Sequence, residues 1–65
     1  MRTLSSILID ADNNPTNLRL IQCLWMELCG LDNDVEARFG KEHLLPLLRK
    51  ATIQYLIDNN IKLLQ

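Results

Sequence analysis

Asp10 and Asp12 are the residues of this chain whose types and spacing could do chemistry. They stand two positions apart at the end of the apolar run Ile7-Leu8-Ile9, and Asn13, Asn14 and Pro15 follow them. Branched apolar residues leading into an acidic turn read as a buried strand that ends where a helix starts. In an open α/β sheet, ligands sit at the carboxyl ends of the strands. Two acids at that edge could hold a hard divalent cation, Mg²⁺ or Mn²⁺, through oxygen. The same residues also suit a plain helix cap, because Asp and Asn are favoured before helices and Pro fits the first turn.

The elements that would position these acids follow from hydrophobic spacing. Leu4 to Asp10 carries Leu4, Ile7, Leu8 and Ile9 almost without interruption, as strands buried on both faces do in parallel sheets. A short helix is the competing reading. From Pro15 to about Cys29, Leu18, Ile21, Leu24, Trp25 and Leu28 recur at helical spacing and form one apolar stripe. Gly30 stands where a left-handed cap is expected. Val35, Ala37 and Phe39 alternate with Glu36 and Arg38, which reads as a short strand ended by Gly40. Lys41 to His43 leads into a second helix with Pro46 in its first turn, Leu44, Leu48, Ala51 and Tyr55 on its inner stripe, and Asn59 and Asn60 at its stop. Ile61 to Leu64 reads as a third strand. The order strand, helix, strand, helix, strand predicts a parallel three-stranded α/β sheet with right-handed crossovers. A small all-α hairpin or bundle is the alternative, because the strands are short and rich in Leu.

Composition narrows the possibilities. Sixty-five residues make at most one small domain, and such a chain buries only about 60% of its unfolded surface. With 48% apolar residues it can build a core. A net charge of −1 shows no basic excess aimed at a nucleic-acid backbone. No apolar run approaches the ~20 residues of a membrane span, and the N-terminus does not have the form of a signal peptide. Cys23 and Cys29 are about 240° apart around a helix, so they pair with each other only with difficulty. Two unpaired thiols suit a reducing, cytoplasmic setting, where each would be a small apolar residue on a packed helix.

The assembled residues resemble the amino-terminal half of NYN domains, of the PIN-like nuclease superfamily. The likeness is carried by Ile7-Leu8-Ile9-Asp10-Ala11-Asp12-Asn13 with the helix after it, by Val35-Glu36-Ala37-Arg38-Phe39-Gly40, and more weakly by Ile61-Lys62-Leu63-Leu64-Gln65. It implies a PIN-like half sheet over residues 1–65, a single incomplete domain. By the resemblance, Asp10 maps onto the first metal-binding and catalytic carboxylate, Asp12 onto the second motif position and Asn13 onto the asparagine that buttresses the turn. Arg38 and Lys41 would then line a phosphate path toward RNA. Lys41 departs from the pattern, since an acid or amide often follows the glycine.

Two functions follow from these residues. One is metal-dependent cleavage of RNA, with a metal-bound water as nucleophile. Mg²⁺ needs near-octahedral oxygen ligation, so two acids alone are too few and the chain is not expected to be a competent enzyme by itself. The other is a non-catalytic regulatory protein that self-associates or binds a protein partner. A half sheet would leave Leu8 and the first strand edge bare, with Ile7 and Leu8 at the contact. Trp25 is expected to anchor the core, and His43 to be a surface or cap residue.

Overall fold

Thr3, Asn17 and Asn33 determine where the elements begin. Thr3 Oγ1 accepts the backbone N–H of Ser6 at 3.2 Å and Asn17 Oδ1 that of Leu20 at 3.1 Å. Asn33 Oδ1 accepts two, from Val35 at 2.9 Å and Glu36 at 3.3 Å. Each satisfies donors that the first turn of a helix leaves open. The computed structural model describes residues 3–60, and the three caps start three helices: α1, Leu4–Asn13; α2, Leu18–Cys29; and α3, Asp34–Asp58.

The parallel sheet is therefore not the fold. Among the described residues no strand forms, and the small helical arrangement is the one adopted. The expected strand Ile61 to Leu64 lies outside the described residues. Leu4 to Asp10 is helical for a reason visible in its spacing. Leu4, Ile7, Leu8 and Ala11 recur at i, i+3, i+4 and i+7, the stripe of an amphipathic helix. Ile7 and Ala11 are fully buried, while Ile9 is 58% exposed. A strand buried on both faces would have hidden all three residues of the run. Leu8 is half-buried against the core, so neither it nor Ile7 forms a bare docking edge. The apparent alternation of Val35, Ala37 and Phe39 yields in the same way. The Asn33 cap nucleates a helix there, and Ala37, Gly40 and Leu44 form its inner face.

The helix read from Pro15 to about Cys29 is observed as α2, beginning at Leu18 behind the Asn17 cap, with Pro15 in the preceding turn. Its stripe is as read: Ile21, Leu24 and Leu28 are fully buried, and Leu18 and Trp25 are partly buried against them. Cys23 and Cys29, expected on a packed face, are free and exposed. Gly30 has φ −90° and ψ 0°, right-handed values that any residue can adopt, so it is not the left-handed cap expected. That conformation falls on Asn60, with φ 54°, just past the Asn59 cap, whose Nδ2 donates to the Tyr55 carbonyl at 2.8 Å. Asn is among the residues that tolerate it.

The core is small and aliphatic. Ile7 and Ala11 of α1, Ile21, Leu24 and Leu28 of α2, and Leu44 and Ala51 of α3 are fully buried. Trp25, expected in the core, sits at its margin. The molecule measures 38 × 23 × 14 Å, and α3 at 1.5 Å per residue is about 37 Å long. One helix thus spans the long axis, and the other two pack against its inner face.

Gly40 is where all three helices meet. A Cβ placed there would overlap Leu28 Cδ2 of α2 and lie 3.0 Å from Leu4 Cδ1 of α1. Leu28 is fully buried, so it can yield to the added Cβ only by repacking the core around it. Ala is the better helix former by about 1 kcal/mol, but overpacking a tight core costs about 1–3 kcal/mol. Gly40→Ala is therefore expected to lower stability by about 1 kcal/mol net, and Gly40→Val by more, in urea unfolding. A more stable Gly40→Ala protein would show that the three helices do not approach this closely.

Pro46 was expected in a first turn and instead lies midway along α3. It has no N–H, so the Glu42 carbonyl loses its helical donor, and an interior Pro disfavours a helix by about 3 kcal/mol. The position is tolerable because Pro46 and Glu42 are both exposed, and water can reach the carbonyl. Pro46→Ala is expected to raise stability by about 1–3 kcal/mol, read as a higher melting temperature. An unchanged or lower value would mean that the helical core needs the bend a Pro imposes.

Candidate functional site

The residues assigned to metal and RNA do not come together in one place. Asp10, Asp12 and Asn13 all fall in the last turn of α1. At 100° per residue, Asp10 and Asp12 are about 200° apart around the helix axis. Asp10 is half-buried and Asp12 exposed. The strand end that would have aligned them is not formed. Asn13 is exposed, and the amide that braces this turn is its neighbour: Asn14 Nδ2 donates to the Asp10 carbonyl at 3.0 Å. Among the described residues, no three of His, Cys, Asp or Glu are grouped so that they could hold a metal ion.

Arg38 and Lys41 lie along α3, in a hollow of about 370 Å³ between α2 and α3. Its floor is Trp25, and Lys41 Nζ stands 5.9 Å from the Trp25 ring centroid. That separation suits a cation–π contact of about 0.5–1 kcal/mol at an exposed site. Trp25 is only half-buried at the margin of the core, which leaves its ring open to the lysine. Asp34 and Glu42 share the hollow with Arg38 and Lys41, so two acids offset two bases. A phosphate backbone needs an excess of positive charge, which this lining does not offer.

On the other flank of α3, His43 Nε2 and Asp12 Oδ1 are 2.8 Å apart. Lys41 and His43 differ by about 200° around α3, so the helix separates the Asp12 contact from the Arg38–Lys41 hollow. His43 links the end of α1 to α3 across 31 positions of sequence. Nothing in local spacing marks this pair, because it depends on how two helices pack. Both groups are partly exposed, and such pairs contribute little. The double-mutant cycle of Asp12→Ala and His43→Ala is expected to return a coupling of about 0.2–1 kcal/mol. Strictly additive effects would show that the contact does not persist in solution.

The surface that sequence reading missed is the outer side of α3. Val35, Phe39, Ile53 and Ile57 are all exposed, and they recur at helical spacing on the side away from Gly40, Leu44 and Ala51. The signal lies in the sequence as a second stripe of period 3.6. It is concealed because residues 35–39 also alternate like a strand and Pro46 suggests a helix start. Comparison of the chain with family models, curated proteins and solved structures finds no match. Among the described residues, no helix is long and apolar enough to cross a membrane.

Proposed function

We propose that the chain acts without catalysis, as a helical interaction module that associates with itself or with a protein partner through the outer face of α3. The observation that carries this reading is the second apolar stripe of that helix. One stripe, through Leu44 and Ala51, is consumed by the core, while Val35, Phe39, Ile53 and Ile57 make another that is exposed among the described residues. Single exposed apolar residues are ordinary, but aligned ones mark contact surfaces. An α-helix presenting i, i+4 and longer-spaced anchors is a common way to dock on another helix.

The RNA-cleavage reading rests on the resemblance of Asp10-Ala11-Asp12-Asn13. Metal-assisted hydrolysis needs several oxygens converging on one ion. The last turn of α1 points its two carboxylates apart, and the geometry therefore favours the interaction reading.

Phe39→Lys and Ile53→Lys separate folding from association. Both positions face away from the core, so each variant is expected to keep its helicity and its stability to within about 0.5 kcal/mol. Each is also expected to weaken self-association or partner capture at least about tenfold, since a charge replaces an apolar anchor in the contact. Folded variants that associate as well as the parent chain would remove this face from the reading.

A further inference from the structure

We infer that the outer face of α3 pairs with the same face of a second copy of this chain, antiparallel, about a two-fold axis passing beside Pro46. The inference rests on the interaction reading above and names its partner and register. Counting outward from Pro46, the face is palindromic in chemistry: Glu42 and Lys50 lie 4 residues to either side, Phe39 and Ile53 lie 7, and Val35 and Ile57 lie 11. At 100° per residue these seven positions fall within an arc of about 80° around the helix. All seven are exposed, with Val35 at 76%, Phe39 at 57%, Ile53 at 54% and Ile57 at 63%.

A two-fold axis places a residue n positions before the centre opposite the residue n positions after it in the other copy. Val35 then meets Ile57 of the second copy, Phe39 meets Ile53, and Glu42 meets Lys50. Each pair occurs twice by symmetry, so four apolar contacts flank two opposite-charge contacts and a central Pro46–Pro46 contact. Pro46 adds a second acceptor beside Glu42, because it leaves the Glu42 carbonyl without a helical donor. The ammonium of Lys50 of the second copy can donate to both. Exposed Arg49 reinforces the same sign next to Lys50.

Other arrangements of the same face are poorer. A parallel pair sets Glu42 against Glu42 and Lys50 against Lys50, and like charges in contact are unfavourable. An antiparallel slip by one helical turn keeps only one of the two apolar pairs. Slipped one way, Ile53 still meets Val35, but Phe39 meets Arg49 and Lys50 meets Arg38; slipped the other way, Phe39 meets Ile57, but Ile53 meets His43. Net charge per copy is only −1, so long-range repulsion does not oppose approach. The stripe from residue 35 to residue 57 is about 33 Å long and about 10 Å wide, on the order of 300–400 Å² per copy. Stable interfaces bury about 800 Å² per partner. The dimer is therefore weak and reversible, populated at high local concentration.

Sedimentation equilibrium between about 10 μM and about 1 mM tests this. The parent chain is expected to move from 7.5 kDa toward twice that mass as concentration rises. Glu42→Lys and Lys50→Glu should each weaken the dimer at least about tenfold, by opposing like charges across the axis. The double variant Glu42→Lys/Lys50→Glu restores opposite charges between copies and should return to within about threefold of the parent. The two positions are two helical turns apart within one α3, so rescue cannot arise inside a single chain. Circular dichroism should show unchanged helicity in all three. A parent chain that stays monomeric at the highest concentration overturns the inference. A double variant no better than its singles overturns it too; if Phe39→Lys still abolishes that association, the interaction reading survives with another register.

Discussion

The close approach of three helices at Gly40 is the constraint on which the rest of this structure depends. α3 can lie against both α1 and α2 only because one residue on its inner face has no side chain at the crossing. Leu28 and Leu4 occupy the space that a Cβ would take. Packing density in an interior leaves no slack for an added methyl group, so that contact sets the rotation of α3 about its own axis. Once Gly40 is turned inward, Leu44 and Ala51 follow it at helical spacing. Val35, Phe39, Ile53 and Ile57 are then turned outward by the same period. The core and the exposed apolar face are thus two consequences of one register.

The core assembled this way is thin. Its fully buried members are aliphatic, and the aromatics Trp25, Phe39 and Tyr55 are all at least partly exposed. Small domains gain little from a single core because so much of their surface stays wet. The margin here is supplied by the helix ends. Thr3, Asn17 and Asn33 each accept first-turn N–H groups, and Ser, Thr, Asn or Asp at such a position is worth about 1 kcal/mol. Against these stands Pro46, which weakens the longest helix at its middle. An exposed Pro at the centre of an apolar face makes more sense as part of a contact surface than as a device for folding.

How much was legible in the sequence depended on which period won locally. The stripe Leu18, Ile21, Leu24, Trp25, Leu28 is unambiguous, and that helix is where spacing puts it. Leu4 to Asp10 and Val35 to Phe39 are short enough to satisfy a strand and a helix at once. Their outcome is set by residues just outside each run, the caps Thr3 and Asn33. In isolation Gly40 reads as the end of a strand and Pro46 as a residue of a helix's first turn. In α3 one is a point of close contact and the other a solvent-facing interruption, roles that exist only after tertiary packing. The pairing of His43 with Asp12 belongs to the same class, since it joins positions 31 apart.

The reassignment of Asp10 and Asp12 shows how fold controls the chemistry available to a motif. At the end of a strand, residues on neighbouring strands bring further ligands to the same edge, and two acids can be part of an ion's shell. In the final turn of a helix the same acids diverge by about 200°. His43 reaches over from α3 to one of them, Asp12. Of the two acids, Asp12 alone thus becomes one side of a contact between α1 and α3, and Asp10 lies on another face of α1. The exposed apolar residues Val35, Phe39, Ile53 and Ile57 lie on the opposite side of α3 from Gly40, Leu44 and Ala51. The same two carboxylates therefore offer different chemistry in the two folds, because a helix end sends them to different faces whereas a strand end shares its edge with the neighbouring strands.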